Sequence, residues 1–508
     1  MSDGPAARWV ARAWALLAAT SALYFLSDNE ADNDLWIHLL SGRLALHDGP
    51  PQRDSLSYTA VGLPWIDHEW LTQAAFAALF DHFGPTALWL AKLVMALLTA
   101  GLVWVTVARR SRSPWVRGPV MILVLAATAR GYAMRPQIVT YLAVAVLLAG
   151  LDRLTDAPRR PPAWLLIVVI AAGFALWANA HGGVIVGIGI LALFTIAPSP
   201  WGGASEVRES DVVPLALRAA MLGTAIVAIC LTPYGLSLFS YVAAELRAPH
   251  PLTEWQPVRP GDPAHLPFLV MLAVLAVTSP LGRTLRAQPW RAALVAITAI
   301  LALRQQRHVP LFALCAAAPL ADQIDAALAW LRTRTSLRPS PGATAAVAIG
   351  LAALSFAQLA LLTDRLWQTR GAIVYAAEDY PVGAVRFMRA AGLHGNLALP
   401  LDWGGYVLWH TAPAIKVSLD GRFATLYPQR VVEDNFAFFR GDDAPGAARL
   451  IDEYPTTLAL VPSGVSTILD HRAGWQRMYT DSVATLFGAA DQPASGRADA
   501  PRGLLPFP

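Results

Sequence analysis

The amino-acid sequence predicts a polytopic α-helical membrane protein with about 11 transmembrane helices and a C-terminal extracytoplasmic α/β domain. The first indication is composition, since 55% of the 508 residues are hydrophobic and only 15% are charged, whereas roughly a quarter of residues in soluble proteins are charged. The second is a series of long apolar runs, and the third is the distribution of arginine between them. The net charge of +4 is too small to indicate a nucleic-acid partner.

Apolar runs recur along residues 1–363, the predicted transmembrane domain. A spanning helix needs roughly 20 mainly apolar residues, because unpaired backbone groups are costly in lipid. We expect spans near residues 9–26, 85–108, 118–130, 136–151, 163–178, 183–198, 214–232, 264–280, 290–303, 308–320 and 343–363. The start of the chain also fits a secretory signal peptide, because Arg8 and Arg12 precede a short apolar stretch that ends in ATSA.

Arginine residues indicate the orientation, because cytoplasmic connections carry an excess of basic residues. With a cytoplasmic N-terminus, the arginine clusters at 109–117, 153–160 and 283–291 all fall inside. The first loop, residues 27–84, and the C-terminal domain then lie outside. Few lysines and many arginines are typical of a GC-rich bacterial genome, so we expect a multi-pass protein of the bacterial inner (plasma) membrane with a periplasmic C-terminal domain.

The chain changes character after residue 363. Helical spacing at 381–392 and 404–410 alternates with strand-like runs at 396–402, 414–422 and 456–463. Such alternation predicts an α/β domain over residues 364–490. The Pro-, Ala-, Gly- and Arg-rich residues 491–508 predict a disordered tail.

Two acids, Asp32 and Asp34, follow the first span directly. A predicted helix begins after them, with apolar residues from Leu35 to Leu46 that could lie on the membrane surface and with His38 one turn after Asp34. A D-x-D pair at the water–lipid boundary could take a proton from a hydroxyl group or hold a divalent cation. Helix capping and an acidic, solvated loop are the alternative interpretation.

A second cluster in the first loop, WIDHEW at 65–70, contains His68 and Glu69. These side chains could orient a substrate, or could form a local network of ion pairs and hydrogen bonds. The tryptophans are interpreted as interfacial anchors. The only cofactor that the loop suggests is a divalent cation, Mg²⁺ or Mn²⁺, with Asp32, Asp34 and Glu69 as its candidate ligands.

Three other outer connections are short and polar: ARGYAMRPQ (129–137), WANAHGG (177–183) and RQQRHVP (304–310). The arginines of the first and third connections oppose the positive-inside trend, and a phosphate at the outer surface would supply the counter-charge that they need. The candidate phosphate-binding residues are Arg130, Arg135, His181, Arg304, Arg307 and His308, with Asn179 and Glu254 as supporting residues. The arginines could instead bind lipid headgroups or pair with Glu254 or the loop acids.

The segments ADNDLWIH (31–38), WIDHEWL (65–71), RGYAMRPQ (130–137), WANAHGG (177–183), WGGYVLW (403–409) and LDGR (419–422) resemble those of the GT-C superfamily of integral-membrane glycosyltransferases. The resemblance implies a polyprenyl-phosphate-linked sugar donor, a lipid, glycan or protein acceptor, and inversion at the anomeric carbon. It also implies that Asp34 or Asp32 is the catalytic base. The D-N-D pattern departs from the D-E pair of the superfamily, so the choice between the two acids stays open.

Other functions remain compatible with these residues. A lipid-linked polysaccharide polymerase or ligase would also use outer arginines. A transporter would need ionisable residues near the middle of its spans, and few are found there. An assembly protein of the cell envelope would tolerate loss of Asp34.

Overall fold

The computed structural model describes residues 5–156, 160–197, 213–245, 252–282, 284–335, 340–441, 444–489, 496–497 and 500–508. The chain forms two compact units. The helical unit comprises Met1–Asp28, Trp89–Thr232 and Pro251–Arg370, and the mixed unit comprises Asn29–Leu88, Pro233–His250 and Gly371–Pro508. Most of the first outer loop therefore belongs to the same unit as most of the predicted C-terminal domain.

The helices are numbered along the chain. They are α1 (Pro5–Leu26), α2 (Leu35–Asp48), α3 (Trp70–Arg110), α4 (Pro114–Thr128), α5 (Gln137–Asp156), α6 (Ala163–Ala180), α7 (Val184–Ile196), α8 (Leu215–Ala228), α9 (Ser237–Glu245), α10 (Leu266–Thr278), α11 (Thr284–Ala287), α12 (Pro289–Arg304), α13 (Val309–Arg334), α14 (Pro341–Thr369), α15 (Val382–Ala390), α16 (Leu401–Thr411), α17 (Gln429–Arg440) and α18 (Arg449–Asp452). The backbone of α3 breaks at Gly84 (φ 78°), directly before the predicted start of the second span.

Every apolar run predicted to cross the membrane lies mainly within one helix. Within the described residues, six helices are long and apolar enough to cross a membrane. They are Arg8–Leu26, Trp70–Arg110, Gln137–Asp156, Ala163–Ala180, Gln306–Arg334 and Pro341–Thr369. A multi-pass helical architecture is confirmed, while the count of about 11 spans stays a prediction.

Two charged clusters lie at opposite ends of α5. Near its C-terminal end, Arg110 and Arg291 each donate to Asp152 Oδ1 at 2.5 Å. Just before its first residue, Arg135 donates to Glu254 Oε2 at 3.0 Å. A helix of 20 residues is about 30 Å long at 1.5 Å per residue, which matches the hydrocarbon core of a bilayer. Connections predicted for opposite sides of the membrane thus lie at opposite ends of this helix, and which side is cytoplasmic stays a prediction.

The mixed unit is built on a sheet with strand order β3-β2-β4-β6-β5-β7. Its strands are β2 (Gly395–Ala398), β3 (Ile415–Val417), β4 (Leu458–Pro462), β5 (Trp475–Thr480), β6 (Ala484–Ala489) and β7 (Gly496–Arg497), while β1 (Val374–Ala376) pairs with β8 (Leu504–Pro506). β2 is parallel to β3 and β4, whereas β6 is antiparallel to β4 and β5. The predicted helices at 381–392 and 404–410 correspond to α15 and α16, and the predicted strands to β2, β3 and β4.

The disordered tail predicted for residues 491–508 requires a correction. Residues 491–495 and 498–499 lie outside the described residues, but β8 is an ordered strand antiparallel to β1. The apolar side chains at 504–507 explain the difference, because Phe507 is only 3% exposed. Composition averaged over the whole stretch conceals these few residues.

Candidate functional site

The first-loop acids lie at the N-terminal end of α2. Asp34 occupies the N-cap position, but its side chain makes no capping hydrogen bond. The carboxylate of Asp32 instead accepts a hydrogen bond from the backbone N–H of Asp34 at 3.0 Å. The turn before α2 is therefore stabilised by Asp32, which leaves the Asp34 carboxylate with no part in capping. The structure thus distinguishes Asp32 from Asp34, which the sequence leaves equivalent as candidate bases.

The apolar face of α2 packs inside the mixed unit. Leu35, Trp36 and Leu39 are fully buried, whereas Leu46 is 54% exposed. The helix was predicted correctly, but most of its apolar face is covered by protein rather than left for a membrane surface. Packing of this kind fixes the position of the residues at the helix start.

Glycines in two distant motifs allow the backbone to approach the acid closely. A Cβ atom at Gly421, in the LDGR motif, would overlap the Asp34 carboxylate. A Cβ atom at Gly405 of α16 would lie 3.3 Å from the backbone nitrogen of Ile37. A Cβ atom at Gly404 would overlap the backbone of Leu419. WGGYVLW and LDGR therefore bring α16 and the 419–422 turn against the start of α2.

A buried ion-pair network holds the 419–422 turn in place. Arg422 donates to Asp420 Oδ2 at 2.7 Å and to Asp54 Oδ1 at 2.6 Å. Burial would raise the pKa of Asp420, but the Arg422 guanidinium and the Tyr427 hydroxyl hold that pKa below its ordinary value. The guanidinium also lies 4.7 Å from the ring centroid of Trp65, which is 3% exposed. Trp65 is thus a core residue, and its predicted role as an interfacial anchor is wrong.

The structure brings together His38, His68 and Glu69. Glu69 Oε2 lies 3.7 Å from His38 Nδ1, and its Oε1 lies 3.5 Å from His68 Nε2. The ring of His68 stacks on Tyr241 with centroids 4.8 Å apart, and Gln73 Nε2 lies 3.3 Å from His38 Nδ1. The local network considered for this cluster is therefore present one turn along α2 from Asp34.

Asp67 is a buried acid that sequence reasoning did not select. It is 3% exposed, and its Oδ1 accepts the backbone N–H of Glu69 at 3.2 Å. Its Oδ2 has no hydrogen-bond partner among the described residues, and burial raises the pKa of Asp67 to about 7. No pattern in the sequence distinguishes Asp67 from its neighbours His68 and Glu69, because its burial depends on the fold around the loop.

Three of the arginines predicted to lie outside, Arg130, Arg135 and Arg307, pair with acids of one segment, residues 252–265. Glu254 lies between two of them, 3.0 Å from Arg135 and 3.4 Å from Arg307. The Arg307 guanidinium also lies 4.2 Å from the Trp255 ring centroid. The pairing with Glu254 that the sequence left open is therefore present, and a phosphate would have to compete with this carboxylate.

Arg130 and Arg304 are more exposed. Arg130 Nη1 donates to Asp262 Oδ2 at 3.1 Å, and the Arg130 side chain is 63% exposed. Arg304, the last residue of α12, is also exposed. His308 lies nearby in sequence, with its Nε2 atom 3.0 Å from Gln305 Oε1. A phosphate-binding role for these residues stays a prediction.

The WANAHGG turn between α6 and α7 is fixed by local hydrogen bonds. His181 Nδ1 accepts the backbone N–H of Gly183 at 2.8 Å and lies 2.8 Å from Thr140 Oγ1. Asn179 Nδ2 donates to the Leu231 carbonyl at 2.8 Å. A Cβ atom at Gly183 would overlap the Thr140 hydroxyl, so the glycine permits the close approach of this side chain.

The candidate metal ligands do not form a preassembled metal centre. Throughout the described part of the chain, no group of three or more His, Cys, Asp or Glu side chains is arranged to hold a metal ion. Asp32 is engaged with the backbone of Asp34, and Glu69 lies beside two histidines. Binding of a divalent cation by these residues stays a prediction.

The predicted site residues divide between the two units. Asp32, Asp34, His38, His68 and Glu69 belong to the mixed unit. The helical unit contains the other set, which comprises Arg130, Arg135, Asn179, His181, Glu254, Arg304, Arg307 and His308.

Comparison with known proteins identifies the fold. The sequence matches no protein-family model and no curated protein. The fold is similar to those of a solved oligosaccharyltransferase and a solved ArnT structure, which agrees with the resemblance seen in the sequence.

These structures share little sequence with this chain. The apo oligosaccharyltransferase of Archaeoglobus fulgidus has a TM-score of 0.56 at 12% identity, over 89% of this chain and 69% of that one. Apo ArnT from Cupriavidus metallidurans has a TM-score of 0.51 at 11% identity, over 93% and 97% of the two chains. The same ArnT bound to undecaprenyl phosphate has a TM-score of 0.48 at 14% identity, over 96% and 99%. The likeness to the first two structures, with TM-scores above 0.5, shows the fold alone.

Proposed function

We propose that this protein is an inverting membrane glycosyltransferase. It moves a sugar from a polyprenyl-phosphate carrier to a hydroxyl group of a lipid, glycan or protein at the outer face of the inner membrane. The observation that carries the proposal is the Asp34 carboxylate, which takes no part in capping α2 and lies against Gly421 in a turn held by buried ion pairs. The GT-C fold makes sugar transfer the reaction class for such an acid.

Asp34 acts as the catalytic base in this proposal. Its carboxylate takes the proton of the acceptor hydroxyl while the acceptor oxygen attacks the anomeric carbon. The bond between that carbon and the phosphate oxygen breaks, and the leaving polyprenyl phosphate keeps the electron pair. A single in-line displacement inverts the anomeric carbon and needs one base only. No step requires a metal ion.

Arg135 and Arg307 supply the positive charge for the leaving phosphate in this proposal. Guanidinium groups match phosphate oxygens with paired N–H donors, and both arginines already hold one carboxylate, Glu254. The same geometry suits a phosphate that displaces this carboxylate. The other proposed contributors are Arg130, His181, Arg304 and His308 at the phosphate, with His38, His68, Glu69 and Asn179 as supporting residues.

Substitution of each first-loop acid tests the role of the base. The purified protein is supplied with a panel of polyprenyl-phosphate sugars, and sugar transfer or release is measured. Asp34→Asn should lower turnover about 10²- to 10⁴-fold. Asp32→Asn is the matched control, because an asparagine oxygen still accepts the hydrogen bond that Asp32 accepts.

Two results would contradict the proposal. Full activity of Asp34→Asn would exclude this residue as the base. Absence of turnover with every donor, together with unchanged envelope glycans in a deletion strain, would exclude the transferase function and favour a transporter or an assembly protein.

A further inference from the structure

Residues 503–507 complete a backbone ribbon beside the first-loop acid. β1 pairs on one side with β8, where Val374 lies opposite Pro506. On the other side, the backbone of Val374 accepts from Ala31 N at 2.7 Å and donates to Asn29 O at 3.0 Å. The segment that enters α2 and the β8 segment are therefore bonded to the same short strand.

Phe507 also contacts α2 directly, through Trp36. Its ring stacks on the ring of Trp36 with centroids 4.1 Å apart and an interplanar angle of 25°. Its backbone N–H donates to the Ile373 carbonyl at 2.9 Å. Trp36 is fully buried and Phe507 is 3% exposed, so removal of this ring would leave a void beside the first turn of α2.

Asp34 lies between two fixed points. Ala31 is bonded to β1, and Trp36 is stacked on Phe507. A residue held on both sides by packed neighbours keeps one orientation, and a misplacement of about 1 Å at a reacting group can reduce a rate about 10²-fold.

We propose that Phe507 positions the first-loop acid through its ring contact with Trp36 and its backbone bond to Ile373. This inference rests on the proposed function, in which Asp34 is the base. Phe507 acts through Trp36 and β1 rather than by contact with the substrate. Its loss should affect the chemical step, because the base acts in the transition state.

The test compares Phe507→Ala with Leu504→Ala in the full-length chain. Both variants shorten an apolar side chain in the same segment, but Leu504 is 54% exposed. For Phe507→Ala, kcat per folded molecule should fall about 10- to 100-fold, while KM for the donor should change less than about twofold. Leu504→Ala should match the wild type.

Hydrogen exchange supplies a readout that is independent of activity. Backbone amides of residues 29–37 should exchange faster in Phe507→Ala, and those of α5 in the helical unit should not change. Phe507→Leu retains much of the apolar contact and should recover most of kcat. If Phe507→Ala does not fold, Phe507→Leu is tested in its place. Its loss of kcat, and its rise in exchange at the amides of residues 29–37, should be smaller than those expected for Phe507→Ala.

Asp34→Asn, measured in parallel, separates failure of this inference from failure of the proposed function. If Asp34→Asn is inactive but Phe507→Ala keeps wild-type kcat and exchange, the positioning role is refuted alone. If Asp34→Asn is fully active, the proposed base is refuted. Equal losses in Leu504→Ala and Phe507→Ala would also overturn the positioning role.

Discussion

The carboxylate of Glu254 occupies the position that we propose for a donor phosphate. It lies 3.0 Å from Arg135 and 3.4 Å from Arg307. A phosphate that binds these two arginines must first break both ion pairs. The substitution Glu254→Gln removes this competition, while the amide keeps nearly the size of the carboxylate. We therefore expect tighter binding of a polyprenyl phosphate.

The size of the effect follows from the exposure of the three side chains. Arg135 is 23% exposed, Arg307 is 30% exposed and Glu254 is 35% exposed. Ion pairs near a protein surface contribute about 0.2–1 kcal/mol each, so the two pairs together contribute about 0.4–2 kcal/mol. Because 1.4 kcal/mol corresponds to a tenfold change in affinity, the dissociation constant should fall about two- to thirtyfold.

The assay is equilibrium binding of a polyprenyl phosphate to the detergent-solubilised protein at low and high salt. The gain in affinity should shrink at high salt, because screening weakens partly exposed ion pairs in the wild type. Asp81→Asn is the control, since it removes the partner of Arg43, an exposed arginine with no proposed part in phosphate binding, and it should leave the affinity unchanged. Weaker binding by Glu254→Gln would refute the reasoning and would indicate that Glu254 itself binds the donor.

Three further substitutions test other parts of the structure. Burial raises the pKa of Asp67 to about 7 from 3.8, so Asp67 contributes stability below pH 4 that is lost as the pH rises to 7. At 1.36 kcal/mol per pKa unit, the loss of folding stability is of the order of 4 kcal/mol. Because asparagine does not ionise, Asp67→Asn should melt at a higher temperature than the wild type at pH 8 but not at pH 4. Gly421→Ala should lower kcat about tenfold or more with little loss of stability, because the new Cβ atom displaces the Asp34 carboxylate. Asp152→Asn should destabilise the protein by about 3–5 kcal/mol, because Arg110 and Arg291 lose the charge that compensates them, as measured by thermal unfolding.

Each of these substitutions has a matched control. Asp48→Asn alters an exposed acid and should leave the pH dependence of melting unchanged. Gly261→Ala adds a methyl group with no atom within 4 Å and should leave kcat unchanged. Adding Arg291→Met to Asp152→Asn should recover part of the lost stability, because the buried arginine is then absent. If a variant and its control change the measured quantity equally, the role assigned to the corresponding contact is contradicted.

The helices were predictable because the pattern that specifies them is local. An apolar run near 20 residues identifies a spanning helix without knowledge of its neighbours. In the same way, helical spacing identified α15 and α16, and a strand-like run identified β4. The surroundings of the acid were not predictable, because they depend on long-range contacts. Gly421 and Phe507 lie hundreds of positions from Asp34, and nothing in a single sequence indicates that they meet.

The D-N-D triplet at residues 32–34 is the part of the sequence that bears on the choice of the base. Three consecutive short polar residues look interchangeable, but the structure gives each one a different partner. Asp32 accepts the backbone N–H of Asp34 at 3.0 Å, and Asn33 accepts the hydroxyl of Tyr380 at 2.7 Å. Asp34 lies against Gly421.

Because Asp32 stabilises the turn and Asn33 joins it to the segment after β1, the third residue is held firmly without having to cap the helix itself. A base needs this combination, since a carboxylate engaged as a helix cap is less basic and is fixed toward the backbone. This arrangement supports our proposal that Asp34 rather than Asp32 is the base, because Asp32 organises the turn that holds Asp34.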